Sequence, residues 1–256
     1  MEIEPVAIFH SPFASKFGIP KQSGIVEALH GTIVLEPAFR SADALRGIEG
    51  FDYLWLLWGF SANKHAATSL MVRPPRLGGN TRVGGFASRS PFRPNGLGLS
   101  SVRIERVEWE SAHGPVIHVL GADLMDGTPI YDIKPYVTYA DCHQGARSGF
   151  VDRHQWQRLQ VVIPEEIRRQ LVAKGWDDAL LQSLEAVLAE DPRPQYQHDP
   201  EKVYGMPFGG VDVKFSVKEE ELRVIGIGDT SALPCACKAQ APDGRHLTAG
   251  HLTAGY

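Results

Sequence analysis

The most apolar run in the first 140 residues, YLWLLWGF at 53–60, is eight residues long, and the apolar clusters around it are shorter and closed off by Gly, Pro or Asn. Parallel strands need crossovers of a dozen or more residues, usually helical, and this half of the chain has no room for them. Residues 6–9, 31–35, 53–58, 83–87, 99–107 and 116–120 instead read as short strands rich in Val, Ile and aromatic side chains. The alternation is clearest at 100–107, where Val102 and Ile104 share one face and Arg103 and Glu105 the other. One short helix is expected at 41–46, with Ser41 as N-cap and Gly47 as the stop. Strands of this kind remove their exposed edges by closing on themselves. The expected fold is therefore mainly β, an N-terminal single-sheet β-barrel over residues 1–141.

After a polar, Gly-containing boundary at 142–151 the pattern changes. Residues 159–163 read as a strand, Pro164 opens a helix, and 177–190 place Leu180, Leu181, Leu184, Val187 and Leu188 on one helical face. A hairpin follows at 211–217 and 222–227, so residues 152–228 form a small C-terminal α+β domain. Residues 229–256, with HLTAG written twice in succession, form a tail outside both domains.

No apolar run approaches the roughly 20 residues that span a bilayer, and the N-terminus MEIEPVAIFHSPF carries acids where a secretory signal has bases. Cys142, Cys235 and Cys237 make neither a disulfide framework nor a four-ligand zinc site. The chain is expected in a reducing cytoplasm, without metal and away from membranes.

Charge is distributed unevenly. Between Asp52 and Glu105 every charged residue is basic: Lys64, Arg73, Arg76, Arg82, Arg89, Arg93 and Arg103. Removing these seven from 26 bases leaves 19 against 30 acids, a net of −11 elsewhere. Five of the arginines lie in 73–100, among six glycines and four prolines, where loops present cations outward to phosphates or carboxylates. The alternative is that they ring the sheet and pair with acids from elsewhere. Gly96-Leu97-Gly98 is no dinucleotide fingerprint, because a strand follows it and the third glycine is missing. A second polar group, DLMDGTPIYDIKPY at 123–136, holds the turn signature Asp126-Gly127-Thr128-Pro129, after which Tyr131 and Ile133 fall on one face and Asp132, Lys134 and Tyr136 on the other.

VRPPRLGG at 72–79, FASRSPFRPNGLGLS at 86–100 and DGTPIYDIKPY at 126–136 resemble the TsaA-like family, the TrmO-type transfer-RNA methyltransferases. FHSPFASKFGIPKQSG near the N-terminus and LAEDPRPQY at 188–196 agree in order and spacing, so the resemblance covers residues 5–228. It implies a TsaA-like β-barrel that uses S-adenosylmethionine (SAM). It further implies a homodimer that methylates N6 of threonylcarbamoyl-adenosine beside the anticodon of threonine tRNA, binding the anticodon stem-loop. Matched residue by residue, the methyl-donor pocket falls on Lys21, Gln22, Ser23, Arg89, Leu99, Asp126, Gly127, Thr128 and Pro129. Ser61 and Ala62 fall in the same implied pocket, where bacterial relatives often carry His-Gln, and Ser23 stands where Pro is common.

Methyl transfer from a sulfonium needs orientation more than strong acid or base, which accounts for the lack of an evident nucleophile. Asp132 or Tyr131 is expected to accept or steer the N6 proton, and Arg93 or Arg73 to clamp the threonyl carboxylate. Arg76 and Arg82 are assigned to phosphates, and Asn95 and Lys134 complete the substrate side. The rival reading is a nucleotide- or RNA-binding module without methyl transfer. A hydrolase is disfavoured.

Overall fold

The computed structural model describes residues 2–63, 70–74, 81–153, 157–194 and 199–230. Its N-terminal half forms β1 (Ala7–His10), β2 (His30–Leu35), β3 (Tyr53–Gly59), β4 (Met71–Val72), β5 (Val83–Gly84), β6 (Leu97–Glu108), β7 (Val116–Leu120) and β8 (Thr128–Pro135). Six of these pair antiparallel in the order β1-β2-β7-β6-β3-β8. Because β1 pairs with β8 as well as with β2, the ladder is cyclic. Phe9, Ile33, Leu54, Leu56, Ile117 and Ile130 come from alternate positions of five of these strands and pack into one buried core.

The chain departs from a regular strand path beside the ladder and within it. Residues 83–87 do not make the expected strand: only Val83 and Gly84 pair, with β4, and Gly85–Ala87 turn into a 3-10 helix. Adjacent glycines offer no side chains to hold a strand face, which favours the turn. In β8 the register slips, so that Leu57 faces Asp132 while Trp58 faces Ile130, and Tyr131 between them has no partner opposite. The helix expected at 41–46 is a 3-10 turn, Ala42–Leu45, capped as anticipated by the Ser41 hydroxyl accepting from the Asp43 N–H.

After the four-residue α1 (Thr138–Asp141), the C-terminal half contains β9 (Gln160–Val162), α2 (Glu165–Ala173), α3 (Asp178–Ala189), β10 (Tyr204–Phe208), β11 (Val211–Lys218) and β12 (Glu221–Asp229). The sheet order is β10-β11-β12-β9, with β9 parallel to β12. The apolar face read at 177–190 is buried at Leu181, Leu184, Val187 and Leu188, and Asp177 caps that helix through the Leu180 N–H at 2.8 Å. Residues 231–256, including Cys235 and Cys237, lie outside the described residues, as do Lys64 and Arg76. No helix among the described residues is long and apolar enough to cross a membrane.

The connection between β1 and β2 joins the two halves. Phe13, Val26 and Leu29 are buried in the C-terminal core with Met206, Phe208 and Leu184, although the sequence division assigns residues 11–29 to the first domain. The Gly209 N–H donates to the Pro12 carbonyl at 2.9 Å, and the buried Ser183 hydroxyl to the Ala28 carbonyl at 2.7 Å. On its other side the same connection is fastened to the first sheet's loops: Asp126 N–H to Phe13 O at 2.9 Å, Gly24 N–H to Gly121 O at 2.8 Å and Gly121 N–H to Leu29 O at 2.9 Å. Residues 11–29 thus act as a strap with one face in each half.

Candidate functional site

Where the strap passes the end of the first sheet it encloses, with the loop after β5, a cavity of about 540 Å³. The strap contributes Lys16, Lys21 and Gln22, and the chain leaving β3 contributes Ser61, Ala62 and Asn63. Polar contacts hold these walls together. Arg89 Nη1 donates to Gln22 Oε1 at 2.6 Å, Lys16 Nζ to Asn63 Oδ1 at 2.5 Å, and Asn63 Nδ2 to the Pro91 carbonyl at 3.2 Å. Leu57, Phe60, Leu97 and the exposed Leu99 add apolar surface.

The floor is built by a close approach across two strands. Trp58 lies opposite Gly98 in the β3–β6 register, and a Cβ on Gly98 would stand 2.4 Å from the indole. The glycine read in sequence as part of a failed fingerprint therefore makes room for a ring. Trp58 Nε1 then donates to Ser100 Oγ at 2.9 Å, and Ser100 Oγ donates to Asp123 Oδ1 at 2.5 Å. Asp123 lines the cavity. Enclosure of its carboxyl raises the pKa above the ordinary 3.8; the Ser100 hydroxyl, the backbone at Asp123 and Ser23, and the charge of Arg89 oppose this without cancelling it. Sequence reading included Asp123 in the polar group at 123–136 but gave it no role.

Of the residues matched to a donor pocket, Lys21, Gln22, Ser61, Ala62, Arg89, Leu99 and Thr128 meet on this cavity. They come from four separate stretches of chain. Ser23, Asp126, Gly127 and Pro129 are not among its lining. The Asp126 carboxylate accepts from the Ser11 N–H at 3.2 Å and lies 3.0 Å from His10 Nδ1, while the Gly127 N–H donates to Phe9 O, so this turn is tied to β1. Thr128 is buried and its hydroxyl donates to the Met125 carbonyl at 2.7 Å.

Among the described residues of the substrate side only Arg93 reaches the cavity, and two loop carbonyls already engage it: its Nη1 donates to Ser88 O at 2.8 Å and Gly85 O at 3.2 Å. Its guanidinium carbon lies 5.9 Å from the centroid of the exposed Phe86 ring, which also lines the cavity. Arg73, Arg82 and Asn95 do not line it. Neither do Tyr131, Asp132 and Lys134. Asp132 pairs with Lys134 Nζ at 3.1 Å, the lysine largely and the aspartate partly in solvent, and accepts from the Ile133 N–H. The Tyr131 ring packs on Gly59, where a Cβ would stand 2.9 Å from it, so it backs the cavity wall. Among the described residues no cluster of three or more His, Cys, Asp or Glu could hold a metal ion.

Comparison with known proteins places this geometry in a family. Residues 8–142 match the model of the tRNA-methyltransferase O N-terminal domain, and residues 156–230 that of the TrmO C-terminal domain. The chain is 36% identical over 231 residues to the tRNA (adenine(37)-N6)-methyltransferase of Escherichia coli K12, covering 88% of this chain and 97% of that one. It is 39% identical over 229 residues to a Pseudomonas aeruginosa protein named as an S-adenosylmethionine-dependent methyltransferase, RcsF, covering 88% of this chain and 96% of that one. A crystal structure of TrmO from Pseudomonas aeruginosa superposes with a TM-score of 0.72 at 32% identity, covering 89% of this chain and 98% of that one.

Proposed function

Because the chain belongs to the TrmO family, both of whose domain models it matches, we propose that it methylates N6 of adenine 37 in tRNA with S-adenosylmethionine as donor. The observation that carries the reading is the convergence of Lys21, Gln22, Ser61, Ala62, Arg89, Leu99 and Thr128 on one cavity. Its volume, about 540 Å³, falls in the range of roughly 300–1,000 Å³ typical of small-molecule sites. The lining suits this donor. Leu57, Trp58, Phe60 and Leu99 offer apolar and aromatic surface to a purine, and the cations offer complements to a carboxylate.

Bound S-adenosylmethionine supplies a methyl group activated by its sulfonium. The protein's part is to orient the partners, and the bonds that lock strap, β3 exit and loop together serve that end. Ser61 and Ala62 offer a small hydroxyl and backbone groups where relatives often carry His-Gln. Ser23, Asp126, Gly127 and Pro129 shape the wall from behind.

The target adenine is read as N6-threonylcarbamoyl-adenosine of threonine tRNA. Arg93 or Arg73 meets its carboxylate, Arg82 and Arg76 meet stem-loop phosphates, and Asn95 and Lys134 flank them. Tyr131 and Asp132 are read as steering groups at the edge of the site. The cyclic strand order supports a TsaA-like β-barrel over residues 1–141, with 152–228 as the appended domain. The working form is read as a cytoplasmic homodimer.

The test is nucleoside mass spectrometry of threonine tRNA incubated with the protein, with and without donor. A donor-dependent methyl on threonylcarbamoyl-adenosine, absent from tRNA lacking the threonylcarbamoyl group, is expected. Donor binding without any methylated nucleoside would overturn the reading in favour of a binding module.

A further inference from the structure

We propose that Asp123 is the proton acceptor of this site, taking the N6–H proton of the target adenine as the methyl group arrives; the proposal rests on the methyl-transfer reading above. The charged side chains among the described lining of the cavity are Lys16, Lys21, Arg89, Arg93 and Asp123. Four are cations at neutral pH and have no lone pair to offer a proton. Asp123 is the one carboxylate among them.

Its orientation is set by a chain of donors. An indole N–H can only donate, so Trp58 Nε1 occupies the Ser100 oxygen as acceptor, and the Ser100 proton is committed to Asp123 Oδ1. The strap approaches the same carboxyl with the Ser23 backbone N–H. With the backbone N–H of Asp123 itself these make three partners, and a carboxylate offers about four lone-pair sites, so capacity for one donor arriving from the cavity remains. An exocyclic N6–H is such a donor. Poor solvation makes Asp123 a stronger base than a free carboxylate, and Arg89, the charge that acts on it, only moderates this. Lys16 and Lys21 of the strap and Arg93 of the loop share the cavity and work in the same direction as Arg89.

The step balances. N6 forms a bond to the methyl carbon, the carbon–sulfur bond breaks with its electron pair going to sulfur, and the N6–H proton passes to Asp123. The carbamoyl group on N6 makes that nitrogen a poor nucleophile with a more acidic N–H, so a positioned acceptor contributes most with this substrate.

The experiment compares the wild type with Asp123→Asn and Ser100→Ala. Donor affinity is read by calorimetry, kcat against pH on threonylcarbamoyl-modified tRNA, and thermal stability against pH without donor or tRNA. Wild-type activity comes first, since its absence would sink the methyltransferase reading rather than this assignment. Asp123→Asn is expected to keep donor affinity within about threefold while kcat falls about 100-fold or more and its acidic limb disappears. Ser100→Ala removes a hydrogen bond that favours the carboxylate, so the acidic limb is expected to move to higher pH, with a matching move in the stability profile. The assignment is overturned if Asp123→Asn retains kcat within about threefold at saturating donor, if its defect lies wholly in donor affinity, or if the limb stays in place in Ser100→Ala.

Discussion

A Cβ added to Gly18 would lie 2.1 Å from Sδ of Met206, so the strap and the C-terminal sheet meet at this point with no space for a side chain. Gly18 also has φ +88°, a conformation that side chains other than glycine's rarely adopt. Three residues further on, Lys21 enters the cavity wall. The C-terminal half therefore supports the cavity wall through the strap.

Gly18→Ala is expected to destabilise the protein by about 1–3 kcal/mol, through overpacking and backbone strain together. It is also expected to weaken donor binding, because Lys21 and Gln22 shift with the strap. Thermal unfolding and donor titration on one sample check both effects. Lost stability with unchanged donor affinity would show that the wall does not depend on this contact.

Ser183 tests the same joint from the helix side. Its buried hydroxyl donates to the Ala28 carbonyl, and Ser183→Ala leaves that carbonyl without the partner, at a cost of about 1–3 kcal/mol. Urea unfolding is expected to show a lower midpoint with an unchanged slope.

Arg89 and Gln22 close the cavity at its exposed side with a 2.6 Å bond. Exposed polar pairs contribute little to folding, so Arg89→Met is expected to change stability by less than about 1 kcal/mol while weakening donor binding about tenfold or more. Arg89→Lys is not expected to rescue it, since a single ammonium does not reproduce the guanidinium fork. Calorimetry of donor binding distinguishes the outcomes.

Asp123 carries a stability signature of its own. Its folded-state pKa is raised above 3.8, so the folded protein holds a proton that the unfolded chain releases first. Stability is therefore highest below pH 3.8 as far as this group is concerned, falls as pH rises from there through the folded value, and is level above it. Asp123→Asn removes that loss and is expected to be at least as stable as the wild type at pH 7, with the advantage shrinking in acid. A variant less stable at pH 7 than in acid, relative to wild type, would contradict it.

Arg82 is exposed and stands off the cavity, as a phosphate contact does. Arg82→Ala is expected to lower the slope of log K for tRNA against log salt by about one, with no change in the affinity for donor alone. Filter binding across a salt series measures the slope.

Much of the ladder could be read from residue pattern. The alternation at Val102, Arg103 and Ile104, and the apolar run at 53–60, each report on which side of a strand faces the core, and that is a local property. Leu54 and Leu56 are buried accordingly. The pattern misled at 83–87, where β-favouring residues lie beside Gly84 and Gly85 and the chain turns instead. β10 went unread because Gly205 and Pro207 interrupt its alternation, and only pairing with β11 makes it a strand.

The residues matched to a donor pocket could be named from their motifs, whereas which of them share one cavity could not. Trp58 and Ser100 are 42 positions apart, and Ser100 and Asp123 are 23 apart, so no periodicity links them. The sequence by itself determined the run of short strands, the cationic loop and membership of a family with a known donor. Tertiary structure alone decided that residues 11–29 bury their apolar side chains in the second half, that Gly98 yields space to an indole, and that Asp123 rather than Asp132 lines the cavity. The physical reason is that strand formation follows from neighbours along the chain, while burial of a charge and closure of a cavity depend on which distant segments meet.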